Sequence, residues 1–228
     1  MSAVPAGRVP LRIDFVSDVV CPWCAIGLAA LEQALARLPD NVDVEFHVRP
    51  FELNPQMAPE GEDITEHLQR KYGMSAEQLA AARANIAARG AEAGFTFGER
   101  QRIWNTFDAH RLLHWAGIAG RQLELKRALL QAYHGDGENV SDHATLVRIA
   151  ASVGLDAGRA AALLASGEYA DEVRAEEQFF IRSGINSVPA IIIDQQHLIS
   201  GGQPVAVFER ALGEILTGKV GRDAADAG

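Results

Sequence analysis

The most informative segment of this sequence is Cys21-Pro22-Trp23-Cys24. It holds the only two cysteines among 228 residues, with two residues between them. The apolar run 13–16 precedes this stretch, and a helical pattern with leucines on one stripe follows it over 22–38. A C-x-x-C pair between a strand and a helix is typical of a redox motif, because the helix N-terminus stabilises a thiolate. The sequence therefore predicts thiol chemistry.

The position of each cysteine on the predicted helix assigns it a role. Cys21 is expected at the N-cap and Pro22 at the first helical position, where the missing N–H of proline is no loss. There the free N–H groups and the positive end of the helix dipole stabilise a Cys21 thiolate. Cys24 lies one turn further on, within disulfide reach but covered by the helix. We therefore predict Cys21 as the nucleophile and Cys24 as the resolving thiol of a redox-active disulfide.

Composition argues against two classes of partner. The net charge is −9 and the pI is near 5.3, whereas nucleic acids and anionic membranes are bound through clustered Lys and Arg. No stretch approaches the roughly 20 apolar residues that cross a bilayer. The first ten residues show no basic start followed by an apolar run, so we expect a cytoplasmic protein without a secretory signal. A disulfide in that reducing compartment is transient and catalytic.

The two ends of the chain carry the strand patterns. A strand over 11–16, the helix over 22–38 and an alternating apolar and polar strand over 42–48 make a βαβ unit. Two short strands, 189–193 and 197–200, precede a last helix. The sequence therefore predicts an α/β domain of the form βαβ…ββα.

A long helical region separates these two ends. Ala- and Leu-rich segments with helical spacing predict helices at 63–72, 75–93, 105–119, 121–134, 141–153, 156–165 and 166–183. We therefore predict a discontinuous sheet domain, residues 1–60 and 184–228, and an inserted all-helical subdomain, residues 61–183.

The early C-x-x-C helix and the late Val188-Pro189 pair before a hairpin resemble the thioredoxin superfamily. The long helical insertion is similar to that of its DsbA-like branch. Within that branch, segments 17–24 (SDVVCPWC) and 105–112 (NTFDAHRL) resemble the FrnE subgroup of cytoplasmic oxidoreductases. The resemblance covers roughly residues 11–217 and implies a thioredoxin-like fold.

This resemblance also implies roles for single residues. Pro189 becomes a cis proline packed against the active-site disulfide, and Val188 offers backbone groups to an extended substrate. Asn105, His110 and Arg111 become candidates for the rim of the site, although His110 could equally be an ordinary surface or core imidazole. Trp23 is expected to turn outward as an exposed contact for substrate, because the cysteine spacing directs it away from the core.

Two other readings of the cysteines stay open. They could be small buried apolar side chains. They could also bind zinc together with His110 and His114, a ligand-like spacing on a helix, although these histidines are distant along the chain. We predict no metal site.

The leading functional hypothesis is a thiol–disulfide oxidoreductase of the reductase or isomerase type, acting on protein or peptide disulfides. We expect no tightly bound cofactor beyond the Cys21–Cys24 disulfide, with glutathione left open as reductant or substrate. One alternative is a glutathione-dependent transferase or isomerase of the kappa or hydroxychromene-carboxylate isomerase type, which uses a serine where this chain has Cys21. A lower-ranked alternative is a non-catalytic peptide-binding or chaperone-like module. A monomer and a homodimer are equally compatible with the sequence.

Overall fold

Four strands form the central sheet of the molecule. The computed structural model describes residues 8–226. Its strands are β1 Val9–Ser17, β2 Val42–Pro50, β3 Glu62–Asp63, β4 Arg102–Ile103, β5 Ala190–Ile193 and β6 His197–Ser200. The central sheet has the spatial order β2-β1-β5-β6. Strand β1 pairs in parallel with β2 and antiparallel with β5, and β6 pairs antiparallel with β5.

Nine helices surround this sheet in the described part of the chain. They are α1 Pro22–Leu35, α2 Ile64–Tyr72, α3 Ala76–Glu92, α4 Phe107–Ile118, α5 Gln122–Leu130, α6 His143–Ser152, α7 Ala157–Ala165, α8 Ala170–Arg182 and α9 Val205–Asp226. None of the helices between residues 8 and 226 is long and apolar enough to cross a bilayer. The predicted order βαβ, helices, ββα is confirmed.

The two faces of β1 are buried against different helices. Because side chains alternate along a strand, Leu11, Ile13 and Phe15 share one face, and they join an apolar cluster with residues of α1 and α9. Val16 lies on the other face, in a smaller cluster with Phe180 of α8. The sheet is therefore covered by helices on both sides, and the C-terminal end of β1 leads straight into the cysteine segment.

Helices α2 to α8 lie between β2 and β5. They supply most of a second apolar cluster, in which Leu112, Leu129 and Tyr133 are joined by Val19, Val20 and Val48 of the sheet domain. The helical insertion is thus confirmed, whereas the domain boundaries 1–60, 61–183 and 184–228 stay a prediction. Residues 1–7 and 227–228 of those ranges lie outside the described residues.

Three local features differ from the expected helices. Strands β3 and β4 form a two-residue antiparallel ladder that the helical spacing did not predict. The predicted helix 121–134 is interrupted, because α5 ends at Leu130 and a π-helical turn, Gln131–Gly135, follows it. The predicted helix 166–183 begins only at Ala170, after Tyr169 in the left-handed region with φ 61°.

The loop between β6 and α9 lies directly against the first turns of α1. A Cβ atom placed on Gly202 would stand 2.8 Å from the carbonyl oxygen of Trp23 and 3.4 Å from the backbone nitrogen of Gly27. A contact of 2.8 Å with backbone is too short for any side chain. Gly202 therefore permits the close approach of this loop to the helix that carries the cysteines.

We expect Gly202→Ala to lower the free energy of unfolding by about 1–3 kcal/mol, because the added methyl group has to displace backbone. The matched control is Gly213→Ala in α9, where a Cβ has no atom within 4 Å. That change should raise stability by about 1 kcal/mol, as for other Gly to Ala changes inside helices. Urea unfolding of both variants measures the two signs, and equal effects would contradict the packing argument.

Candidate active site at the cysteine pair

The cysteine pair lies at the N-terminus of α1, as predicted. Cys21 is the N-cap residue in an extended conformation, and Pro22 opens the helix. The backbone N–H of Cys24 donates to the Cys21 carbonyl at 3.0 Å. The expected hydrogen bond from the first-turn N–H groups to the Cys21 side chain is not formed. The Cys21 thiol instead donates to the carbonyl oxygen of Val188, at 3.5 Å.

The loop before β5 therefore forms one wall of the site. The Val188–Pro189 peptide bond is cis. The Pro189 ring packs on α1, since a Cβ placed on Gly27 would lie 3.0 Å from its Cγ atom. The structure thus brings Cys21, Cys24, Val188 and Pro189 together.

The two thiols differ in exposure and in acidity. Both cysteines are free thiols, and Cys21 keeps 3% of its surface exposed whereas Cys24 has none. Burial raises the pKa of Cys24 well above 9.0, and the hydrogen bond and charge of Cys21 raise it further. The charge of Lys126 and the backbone of Asp18 act in the opposite direction. Cys24 is therefore a protonated thiol at neutral pH, and a reagent from solvent reaches Cys21 first.

His110 and Asp18 form a buried pair beside the cysteine segment. Both side chains are fully buried, and His110 Nε2 lies 3.4 Å from Asp18 Oδ1. The other Asp18 oxygen accepts the Leu53 backbone N–H at 2.7 Å. Burial alone would raise the pKa of Asp18, but the contacts with His110, Leu53 and Thr106 outweigh burial and lower it. Asp18 is therefore an ionised carboxylate that ties the cysteine segment to the end of β2 and to α4.

A second histidine, which sequence reasoning left without a role, holds the same segment. His134 in the π-helical turn is fully buried, and its Nε2 atom contacts the Val19 carbonyl at 2.9 Å. Arg100 donates to His134 Nδ1 at 2.7 Å. Because arginine only donates, Nδ1 accepts and the proton lies on Nε2, which donates to Val19. The segment before Cys21 is therefore anchored by a neutral imidazole of known tautomer.

Other predicted contacts lie elsewhere or are less exposed. Trp23 is half-buried against the core rather than exposed, which corrects that expectation. Asn105 donates to the Met57 carbonyl at 2.9 Å and accepts from the Phe107 backbone N–H. Both Asn105 contacts are with backbone of the insertion and the segment before it, so the structure does not bring this side chain to the cysteines.

Arg111 makes structural contacts within the insertion. Its guanidinium donates to Asp108 and to three backbone carbonyls, those of Leu163, Ser166 and Glu168, at 2.6–2.8 Å. These bonds join α4 to the connection between α7 and α8, and none of them is with the cysteine pair.

The proposed zinc ligands are also separated. His110 faces Asp18, whereas the His114 ring lies against Tyr169, with centroids 5.0 Å apart. Within residues 8–226, no three His, Cys, Asp or Glu side chains are grouped so as to hold a metal ion.

Sequence reasoning missed three side chains around Cys21. Tyr72 at the end of α2 exposes 56% of its surface, and burial together with the Cys21 charge raises its pKa. Arg100 lies within the influence of the same charge. Lys126 is fully buried beneath the pair. Of these three, only Lys126 could have been found from the sequence, because it is a charged residue on the apolar stripe of a predicted helix.

Comparison with known proteins agrees with this geometry. The model of the DSBA-like thioredoxin domain family matches residues 12–213, and the chain belongs to that family. A probable DsbA oxidoreductase from Streptomyces coelicolor is 40% identical, with a TM-score of 0.84 over 90% of this chain and 89% of that one. The Bacillus subtilis protein YwbO is 27% identical over 90% of this chain and 96% of its own. The cytosolic disulfide reductase DsbM from Pseudomonas aeruginosa, solved with GSH, shares the fold at 15% identity, with a TM-score of 0.62 over 90% and 99% of the two chains. The predicted α/β thioredoxin-like fold is thereby confirmed.

The buried state of His134 predicts a pH dependence of stability. Burial lowers the pKa of His134 well below its ordinary 6.5, and the Arg100 charge lowers it further. The unfolded chain takes up this proton as the pH falls below 6.5, but the folded chain does not. Neutral His134 therefore contributes to the free energy of unfolding above pH 6.5. This contribution is lost below pH 6.5, at up to about 1.4 kcal/mol per pH unit.

His134→Gln, whose amide can accept from Arg100 and donate to Val19, should show a shallower fall in unfolding free energy between pH ~6.5 and ~5. His197→Gln, on the exposed strand β6, should keep the wild-type slope. Urea unfolding at several pH values measures the slopes, and identical slopes for wild type and His134→Gln would refute the argument.

A substitution of Arg111 separates a structural role from a role at the rim. Arg111→Met should lower the unfolding free energy by about 3–5 kcal/mol, because buried carbonyls lose their charged partner. Arg121→Met, on an exposed side chain 3.4 Å from Glu124, should change it by less than about 1 kcal/mol. In folded Arg111→Met, Cys21 should be alkylated at the wild-type rate. A large drop in that rate at unchanged stability would instead support the rim role.

Proposed function

We propose that this protein is a cytoplasmic thiol–disulfide oxidoreductase that acts on disulfides of proteins or peptides. The observation that carries the proposal is the contact between the Cys21 thiol and the Val188 carbonyl, with Cys24 one turn below. A sulfur at a helix N-terminus, reachable from solvent and next to a second thiol, is the arrangement that thiol–disulfide exchange requires. The apolar core is large enough to stabilise the fold without the two cysteines. This supports a catalytic role for them rather than a structural one.

The reaction proceeds in two exchanges. The Cys21 thiolate attacks one sulfur of the substrate disulfide, and the other substrate sulfur leaves as a thiolate. Cys24 then loses its proton and attacks the Cys21 sulfur of the mixed disulfide. The Cys21–Cys24 bond forms, the second substrate sulfur leaves, and two electrons have passed from the dithiol to the substrate. The opposite direction oxidises a substrate dithiol by the same steps.

The rim offers few but suitable contacts for an extended chain. Val188 has backbone groups beside Cys21, Trp23 lies half-buried in the first turn of α1, and the charge of Cys21 acts on the exposed Tyr72. Backbone pairing is tolerant of substrate sequence, which suits a protein that acts on many disulfides. Glutathione fits the same chemistry as reductant or substrate, and DsbM, which binds GSH, has the same fold.

The proposal also covers the subgroup to which the protein belongs and the cellular compartment in which it acts. Segments 17–24 and 105–112 support the FrnE subgroup of DsbA-like proteins. The name of DsbM as a cytosolic reductase supports a cytoplasmic site of action. A working dithiol, rather than a permanent disulfide, is what that compartment maintains.

The decisive test uses the two cysteines separately. Cys21→Ser should abolish reduction of insulin disulfides by the protein in the presence of dithiothreitol, because the nucleophile is lost. Cys24→Ser should accept one substrate sulfur and stop, because the resolving thiol is missing. Mass spectrometry of Cys24→Ser after incubation with a peptide disulfide should therefore show a stable mixed disulfide on Cys21.

The outcomes also decide between the alternatives. Full insulin reduction by Cys21→Ser would overturn the proposal. A glutathione-dependent activity that is unchanged in Cys24→Ser would favour the transferase or isomerase alternative, which needs no second thiol. Alkylation of both wild-type thiols at the rate of an unfolded peptide, without turnover, would favour a non-catalytic binding module.

A further inference from the structure

Lys126 is the most unusual buried group of the insertion. Its surface is fully buried, and its Nζ atom has no hydrogen-bond partner among residues 8–226. A buried amine without a partner costs stability, and lysines are almost never fully buried unless they are paired. Such a group is a candidate for chemistry.

The position of Lys126 on α5 directs it toward the cysteine segment. Residues four and eight positions further on lie on the same stripe of the helix. Leu130 belongs to the apolar cluster that contains both cysteines, and His134 binds the carbonyl of Val19. The stripe that Lys126 shares with these two residues therefore packs beneath residues 19–24.

The titratable groups around Lys126 come from three other elements. The charges of Cys21 and Cys24 at the start of α1 and of Asp18 after β1 act on Lys126, and the charge of Lys126 acts on His134 in the π-helical turn. Burial lowers the pKa of Lys126, while the charges of Cys24, Asp18 and Cys21 raise it. Burial therefore acts in favour of the neutral amine, and a thiolate on Cys24 acts in favour of the ammonium.

We infer that Lys126 accepts the proton of Cys24 when Cys24 attacks the mixed disulfide. The helical insertion thereby supplies the base for the resolving step. This inference rests on the proposed function, since it concerns its second exchange. Of the titratable groups near Cys24, Asp18 is already bound to the Leu53 N–H and His110, whereas the Lys126 amine makes no hydrogen bond in the described part of the chain.

The resolving step begins with a proton transfer. The Cys24 thiol gives its proton to the Lys126 amine, which becomes an ammonium. The Cys24 thiolate attacks the Cys21 sulfur, so that the Cys21–Cys24 bond forms and the bond from Cys21 to the substrate sulfur breaks. The electron pair leaves with the substrate sulfur, which departs as a thiolate. The substrate disulfide is the oxidant, and Lys126 returns to the amine on loss of its proton.

Reaction with dithiobis-nitrobenzoate separates the two exchanges in one experiment. Attack by Cys21 on this aromatic disulfide releases one equivalent of coloured thiolate, and attack by Cys24 on the mixed disulfide releases the second. Lys126→Met should leave the first phase unchanged and slow the second by about a hundredfold at neutral pH, within the range of general base catalysis. The second phase of the variant should then rise about tenfold per pH unit, because only the thiolate fraction of Cys24 reacts.

Stability distinguishes this role from a structural one. Removing an unpartnered buried amine should raise the urea midpoint of Lys126→Met, whereas loss of a structural contact would lower it. Lys126→Gln, which also lacks the amine, gives the same kinetic test if Lys126→Met does not fold. The control is Lys219→Met, whose amine lies 2.7 Å from Asp194 at the far end of the sheet, and both phases should keep their wild-type rates.

Two possible results would contradict different parts of this proposal. A wild-type protein that releases only one equivalent, like Cys24→Ser, would overturn the proposed function and with it this inference. A wild-type protein with two phases, and Lys126 variants whose second phase keeps the wild-type rate and pH dependence, would overturn the role of Lys126 alone. A second phase that is slow only in the two Lys126 variants supports it.

Discussion

The contact between the Cys21 thiol and the Val188 carbonyl is the interaction on which the site depends. The two residues are 167 positions apart, and the whole helical insertion lies between them. Their meeting requires β1 and β5 to pair, because β1 leads into the cysteine segment and Pro189 immediately precedes β5. The small residues Gly27 and Gly202 let the Pro189 ring and the following loop approach α1 closely. Backbone geometry thus places the Val188 carbonyl and the Cys21 sulfur side by side.

The insertion is part of the site rather than an appendage. One stripe of α5 and the π-helical turn runs beneath residues 19–24, with Lys126, Leu130 and His134 in order along it. His110 of the preceding helix, α4, contacts Asp18 just before this segment. The β1–α1 connection is therefore held from below by side chains of the insertion, while the wall beside Cys21 comes from the loop before β5.

Electrostatic asymmetry distinguishes the two sulfurs of the site. Cys24 is surrounded by apolar side chains, and its thiol form is strongly favoured. Asp18 and Lys126 lie in the same low-dielectric region, where charges are weakly screened and act on each other over several ångströms. A proton that leaves Cys24 therefore changes the energy of the neighbouring charges, so the surroundings of Cys24 matter as much as those of Cys21.

The order of strands and helices and the position of the C-x-x-C pair at a helix N-terminus could be predicted from the sequence alone, whereas the role of Cys21 as nucleophile stays a prediction. These features follow from local periodicity and from which residues precede and follow a helix start, so neighbouring residues suffice to predict them. The Val188-Pro189 wall was foreseen only through family resemblance. The tertiary structure was needed to show that Arg111 joins helices of the insertion and that Trp23 is half-buried. It was also needed to show that Lys126, His134 and Asp18 lie close to the cysteine segment. Those facts depend on contacts between distant segments, and burial and pKa are set by such contacts rather than by position along the chain.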